Sequence, residues 1–180
     1  MQLLAQLTPF LVLLAIAAII DARSRRIPNW LTLLMALSGV LNALVWGHPT
    51  SPTAAFLGLL TGLGILLIPF ALGAMGGGDV KMLAGVGAWL GPMATLQVYA
   101  IAAVAGLIIV LVQCLWTGRL TQLIRNSTLI MANFANYAQV GREQVAISGR
   151  SLRSVDKPLP YAIPTLVGVA GVIAMNLIRP

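Results

Sequence analysis

Long stretches of the chain are apolar on every side of a helix, without the polar stripe of a helix packed on a water-soluble core. The runs over 4–20, 30–46 and 54–74 carry no charge, and each meets the roughly 17 to 25 apolar residues that a bilayer-crossing helix needs. After Lys81 the chain stays uncharged through Gly118, too far for one comfortable crossing, and Gly91-Pro92 interrupts it. Proline disfavours the helical conformation of the residue before it, so this stretch predicts a short helix over 79–90 and a longer one over 93–116. A last run, 161–178, predicts a sixth helix. The pattern predicts an all-α membrane protein with six transmembrane helices in a single polytopic domain over 1–180.

Between the fifth and sixth runs lies one sizeable polar connection, 118–160. Within it Leu120, Leu123, Ile124, Ile130, Met131, Phe134 and Tyr137 recur at helical spacing beside Arg119 and Arg125. That pattern fits an amphipathic helix lying on an anionic membrane face, and equally a plain cytoplasmic helical hairpin.

Composition removes the soluble alternative. With 59% hydrophobic and 8% charged residues and a mean hydropathy of +0.94, there is too little polar surface to cover a core in water. The net charge of +7 does not point to nucleic acid, because the basic residues sit between hydrophobic runs instead of on a soluble basic domain. Arg23, Arg25 and Arg26 follow the first run, Lys81 follows the third, and Arg119, Arg125, Arg142, Arg150, Arg153 and Lys157 fall in the long connection. The segment "GHPTSPT" and the Gly91-Pro92 turn carry no basic residue, and Arg179 alone breaks the asymmetry. The positive-inside rule then places the basic connections in the cytoplasm and the amino terminus outside. The first run is not expected to be a cleaved signal peptide, since its arginines follow the apolar stretch instead of preceding it.

The chain has four acids. Glu143 and Asp156 fall in the polar connection, where a surface charge is the expected role. Asp21 closes the first predicted helix and Asp79 opens the fourth, which puts both on the cytoplasmic side at similar depth. Singly, Asp79 reads as a helix cap and Asp21 as a boundary charge held by Arg23 or Arg25. As a pair they suggest more. Two neighbouring carboxyls share one proton near neutral pH, so one accepts a proton from water while the other polarises a peptide carbonyl. Glycines at 76, 77 and 78 suit this, because they permit unusual dihedrals and a close backbone approach. No metal set is expected, and no cofactor. The only histidine, His48, lies in an outside loop away from the acids, which also argues against a Ser/His/Asp set. Cys114, the single cysteine, reads as a small buried hydrophobe.

The segment "DARSRRIPNWLTL" at 21–33 joins an aspartate, a basic stretch and Ile-Pro-Asn, and "GGGDVKML" at 76–83 contains a GxGD core. Together they resemble the type IV prepilin peptidases, membrane aspartyl proteases, and among them the small enzymes of tight-adherence (Flp) pili. "PYAIP" at 160–164 is a weaker match. The resemblance implies that Asp21 and Asp79 are catalytic, that Gly76 and Gly78 support the motif, and that basic leaders are cut from prepilins or pseudopilins at the cytoplasmic border of the bacterial inner membrane. It implies peptidase activity alone, because the cysteine-rich insertion that the larger bifunctional enzymes carry between helices 1 and 2 is missing here. Pro28 is expected in the first turn of the second helix, Asn29 as a hydrogen-bonding residue of that turn, and Lys81 beside Asp79 or at lipid phosphates. Two other classes fit the residues taken alone: a small proton- or cation-coupled transporter component using the same aspartates, and a noncatalytic subunit of a secretion assembly.

Overall fold

The computed structural model describes residues 2–47, 49–71, 75–136 and 160–178. Seven helices make up almost all of them: α1 (Gln2–Ser24), α2 (Asn29–Trp46), α3 (Pro52–Ala71), α4 (Gly77–Leu90), α5 (Pro92–Trp116), α6 (Leu120–Ala135) and α7 (Ala162–Ile178). No strand occurs among the described residues. His48, the end of the third predicted helix beyond residue 71, and the part of the polar connection carrying Arg142, Glu143 and Asp156 lie outside the described residues.

The boundaries follow local chemistry. Gly91 stands between α4 and α5 with φ +80°, donates its N–H to Gly87 O at 2.8 Å, and is followed by Pro92 in the first turn of α5. A left-handed residue that stops one helix and a proline that starts the next give a sharp reversal. Gly47, with φ +64° and ψ 12°, closes α2 in the left-handed helical conformation, its N–H donating to Ala43 O at 3.0 Å. Pro28 does not enter α2. It is the residue capping that helix, in extended conformation with φ −62° and ψ 138°. Asp21 does not close α1 either, because the helix runs on to Ser24. The arginines there are good helix formers, and nothing stops the helix until Arg25 turns left-handed at φ 53° while its N–H reaches Asp21 O at 2.8 Å.

Four helical segments are long and apolar enough to cross a membrane: Gln6–Ser24, Asn29–Trp46, Pro52–Ala71 and Pro92–Trp116. Their outward faces carry exposed Leu41, Leu44, Trp46, Phe56, Ile68, Leu107 and Ile108, a surface suited to lipid and not to water. The protein is therefore a multi-pass membrane protein. The helices α4 and α7 are shorter, at 14 and 17 residues, or about 21 and 25 Å against roughly 30 Å of hydrocarbon.

The short α4 sits in the middle of the bundle. Every residue from Met82 to Trp89 is buried, as expected of a helix apolar all round. It packs most extensively on α3 and α2, while α7 packs on α5 and α1. The approach of α3 to α4 is at backbone level: a Cβ on Gly58 would collide with the carbonyl of Gly87, and one on Gly87 with that of Gly58. Small residues let membrane helices meet this closely, where lipid supplies no hydrophobic force to drive them together. On the other side of α4, Trp89 Nε1 donates to Met35 O at 3.0 Å and Ser38 Oγ at 3.2 Å, and its ring stacks on Phe10 with centroids 5.6 Å apart. The indole thus links α4 to α2 and α1. Cys114 is buried in α5, and α6 meets the bundle through α5.

Candidate active site

Three helix ends converge at one end of the bundle: the last turn of α1, the first turn of α4 and the first residue of α7. Asp21 is only 4% exposed. A carboxyl so enclosed requires hydrogen-bond donors, and Ala162 supplies one, its N–H reaching Asp21 Oδ2 at 3.0 Å. Because Ala162 opens α7, this N–H is one that no carbonyl within the helix can accept. The aspartate thereby ties the end of α1 to the start of α7. Arg25 adds its charge from the turn after α1.

Asp79 is partly buried in the first turn of α4. Its Oδ2 accepts the N–H of Gly76 at 3.2 Å, while its own N–H reaches back to Gly76 O at 3.2 Å. The capping role foreseen for this residue is real, and it occupies only one carboxyl oxygen. Asp21 and Asp79 lie close enough for the charge of one to act on the other. The two acids that the sequence singled out therefore sit in a common electrostatic environment, on elements far apart in the chain.

Of the two purposes expected of the glycines, the structure agrees with close approach and not with unusual dihedrals. Gly76 has φ −81° and ψ 149°, ordinary extended backbone, and the left-handed glycines among the described residues are Gly47, Gly91 and Gly118. No unusual dihedral is needed in the motif. Space is the requirement: a Cβ on Gly76 would come 3.2 Å from Asp79 Oδ2, and one on Gly78 would come 3.3 Å from Cβ of Ile27. Side chains at these points would press on the Asp79 carboxyl and on the turn that leads from Asp21 into α2.

That turn is also tethered from α4. Lys81 Nζ donates to Asn29 Oδ1 at 2.9 Å, so the lysine joins the starts of α2 and α4. Asn29 O in turn accepts the Thr32 hydroxyl at 3.0 Å.

Sequence reasoning missed the contribution of α7. The Ala162 amide has no side-chain signature, and Tyr161 beside it is partly buried against the core, with Asp79 and Tyr99 acting on it electrostatically. The available signal was "PYAIP", which marks this turn as something other than an ordinary helix start.

Comparison with known proteins bears on the same segments. A family model described as the type IV leader peptidase family matches residues 9–111, a span that includes both Asp21 and Asp79. A protein of Burkholderia pseudomallei named prepilin leader peptidase/N-methyltransferase is 39% identical over 115 residues, covering 60% of this chain and 36% of that protein. One of the same name from Pectobacterium carotovorum subsp. carotovorum is 35% identical over 112 residues, covering 58% of this chain and 39% of its own length. The matches thus span well under half the length of these curated relatives. No solved structure matches.

Proposed function

The chain belongs to the type IV leader peptidase family, and from that premise we propose that it is a membrane aspartyl endopeptidase that removes the basic leader from type IV, Flp-like prepilins. Asp21 and Asp79 form its catalytic pair. The observation that carries this reading is their convergence: two acids in a strongly apolar chain, both within the family-matched segment, lie within electrostatic reach of each other at one end of the bundle.

One carboxyl is ionised and the other protonated. The ionised group takes a proton from water as the water oxygen adds to the scissile carbonyl carbon, and the protonated group gives its proton to the carbonyl oxygen. In the gem-diol that results, the first group passes its proton to the amide nitrogen while the second recovers one from a diol hydroxyl. The C–N bond breaks, releasing a carboxylic acid and an amine, and the pair returns to its starting protonation. An extended substrate is required, because a helical peptide bond keeps its carbonyl hydrogen-bonded and screened.

In this reading α1 to α5 and α7 cross the inner membrane, with the short α4 enclosed by its neighbours, and Arg23, Arg25, Arg26 and Lys81 mark the cytoplasmic face. The site then lies where the leader of a prepilin stays in the cytoplasm while its apolar helix enters the bilayer. Anionic lipid meets the same basic residues. Methyl transfer is not part of the proposal, since the connection between α1 and α2 is a short turn, with no cysteine-rich insertion.

The test is purified protein in liposomes with an Flp-type precursor, the products identified by mass. A single cut between the basic leader and the apolar helix is expected. An intact precursor, or cuts scattered within the apolar helix, would overturn the assignment.

A further inference from the structure

The bond between Lys81 and Asn29 joins the two segments that carry the aspartates, and the proposed proton exchange gives it no part. Lys81 follows Asp79 by two residues near the start of α4, and Asn29 opens α2 at the far end of the turn that leaves Asp21. Lys81 Nζ lies 2.9 Å from Asn29 Oδ1, between side chains 52 residues apart in sequence. An ammonium only donates, so it also fixes which end of the Asn29 amide faces α4.

The turn between Asp21 and Asn29 needs to be held. Among the described residues it contains the only non-glycine with a left-handed backbone, Arg25 at φ 53°, and such a conformation persists where the surroundings impose it. On the near side, the Arg25 N–H is anchored on Asp21 O at 2.8 Å. In the middle, α4 approaches so closely that a Cβ on Gly78 would come 3.3 Å from the Cβ and 3.5 Å from the carbonyl oxygen of Ile27, which is buried. On the far side, Pro28 is extended and α2 has no side-chain cap. There the Lys81 bond pins the turn to α4.

We propose that Lys81 and Asn29 are positioning residues: their bond fixes the turn after Asp21 against the start of α4, and so sets the placement of the Asp21 carboxyl relative to that of Asp79. The proposal rests on the peptidase reading above. Neither residue touches substrate or exchanges a proton. The lysine acts through its bond to Asn29, and not through its charge on Asp79 or on a lipid phosphate. The bond lies at the surface of the bundle, so its loss loosens the turn without opening the core. Misplacing reacting groups by about 1 Å can cost roughly 100-fold in rate, and a loosened turn incurs part of that.

The test is a double-mutant cycle with Asn29→Ala and Lys81→Met, in liposomes with an Flp-type precursor, well below the melting temperature of every variant so that unfolded protein does not enter the rates. Each single variant should lower kcat by about tenfold with KM little changed. The double variant should be no slower than the slower single, because both substitutions remove the same bond. Lys81→Arg keeps a donor and should recover kcat to within about threefold of wild type. Wild-type kcat in Asn29→Ala beside a slow Lys81→Met would overturn the proposal, since the lysine would then act by its charge. Losses that multiply in the double variant, or a raised KM at unchanged kcat, would overturn it as well. The two readings fail separately: wild-type rates in both single variants beside an inactive Asp79→Asn sink the positioning role alone, whereas a wild-type protein that cuts no precursor sinks both.

Discussion

Replacing Ala162 by proline removes the N–H that reaches Asp21, at a helix position whose backbone suits proline. Ala162 is the first residue of α7, where proline's fixed φ suits the helix and its missing N–H breaks no bond within it. The bond that is broken runs to Asp21 Oδ2, 3.0 Å away and between residues 141 apart in sequence. A hydrogen bond to a charged group contributes about 1.5 to 3 kcal/mol. If the whole of that orients the carboxyl for reaction, the rate should fall roughly 10- to 150-fold. Ala162 is fully buried, so the bulk of the ring needs a control. Ala162→Val adds similar volume and keeps the N–H. With both variants in liposomes at equal protein, kcat/KM for leader release should be at least about tenfold lower for the proline variant than for the valine variant. Equal rates would refute the claim that the α7 amide positions Asp21.

Two further outcomes follow from packing and topology. Gly87→Ala drives a methyl group into the carbonyl of Gly58 and should destabilise the protein by about 1 to 3 kcal/mol in thermal unfolding; Gly64→Ala, which meets nothing within 4 Å, should be neutral or slightly stabilising, and equal effects would contradict the close α3–α4 approach. In a Cys114→Ala background, cysteines placed at Ser24 and Ser127 should react with an impermeant thiol reagent only after the inner face is opened, and labelling of both in sealed cells would reverse the orientation.

Of the six predicted runs, four correspond within a few residues to the helices long and apolar enough to cross a membrane, because length and apolarity decide whether a segment can cross a bilayer. They did not reveal how the helices associate. "MLAGVGAWL" is the inner core of the bundle, yet it resembles the lipid-facing runs, since lipid and protein interior impose the same apolar requirement. The end of α1 was misplaced for a related reason: an aspartate after an apolar run looks like a boundary, whereas the helix is stopped by the backbone turn at Arg25. The two aspartates were legible because acids are scarce in this chain. The group that holds Asp21 was not, because a backbone N–H belongs to every residue except proline, and only the fold shows which one is free. Of the two reasons offered for the motif glycines, close approach agrees with the structure and unusual dihedrals do not; a sequence announces that side chains are missing but not whether dihedral freedom or room is the reason.

The central claim is tested most directly by Asp21→Asn and Asp79→Asn in purified, liposome-reconstituted protein, with leader release from an Flp-type precursor followed by mass and folding checked by melting temperature. Asparagine keeps nearly the shape of aspartate, but its amide neither takes the proton from water nor supplies an acidic one. Each single variant should remain folded and release no leader above background. Robust cleavage by either one would remove that residue from the mechanism and contradict the two-carboxyl account.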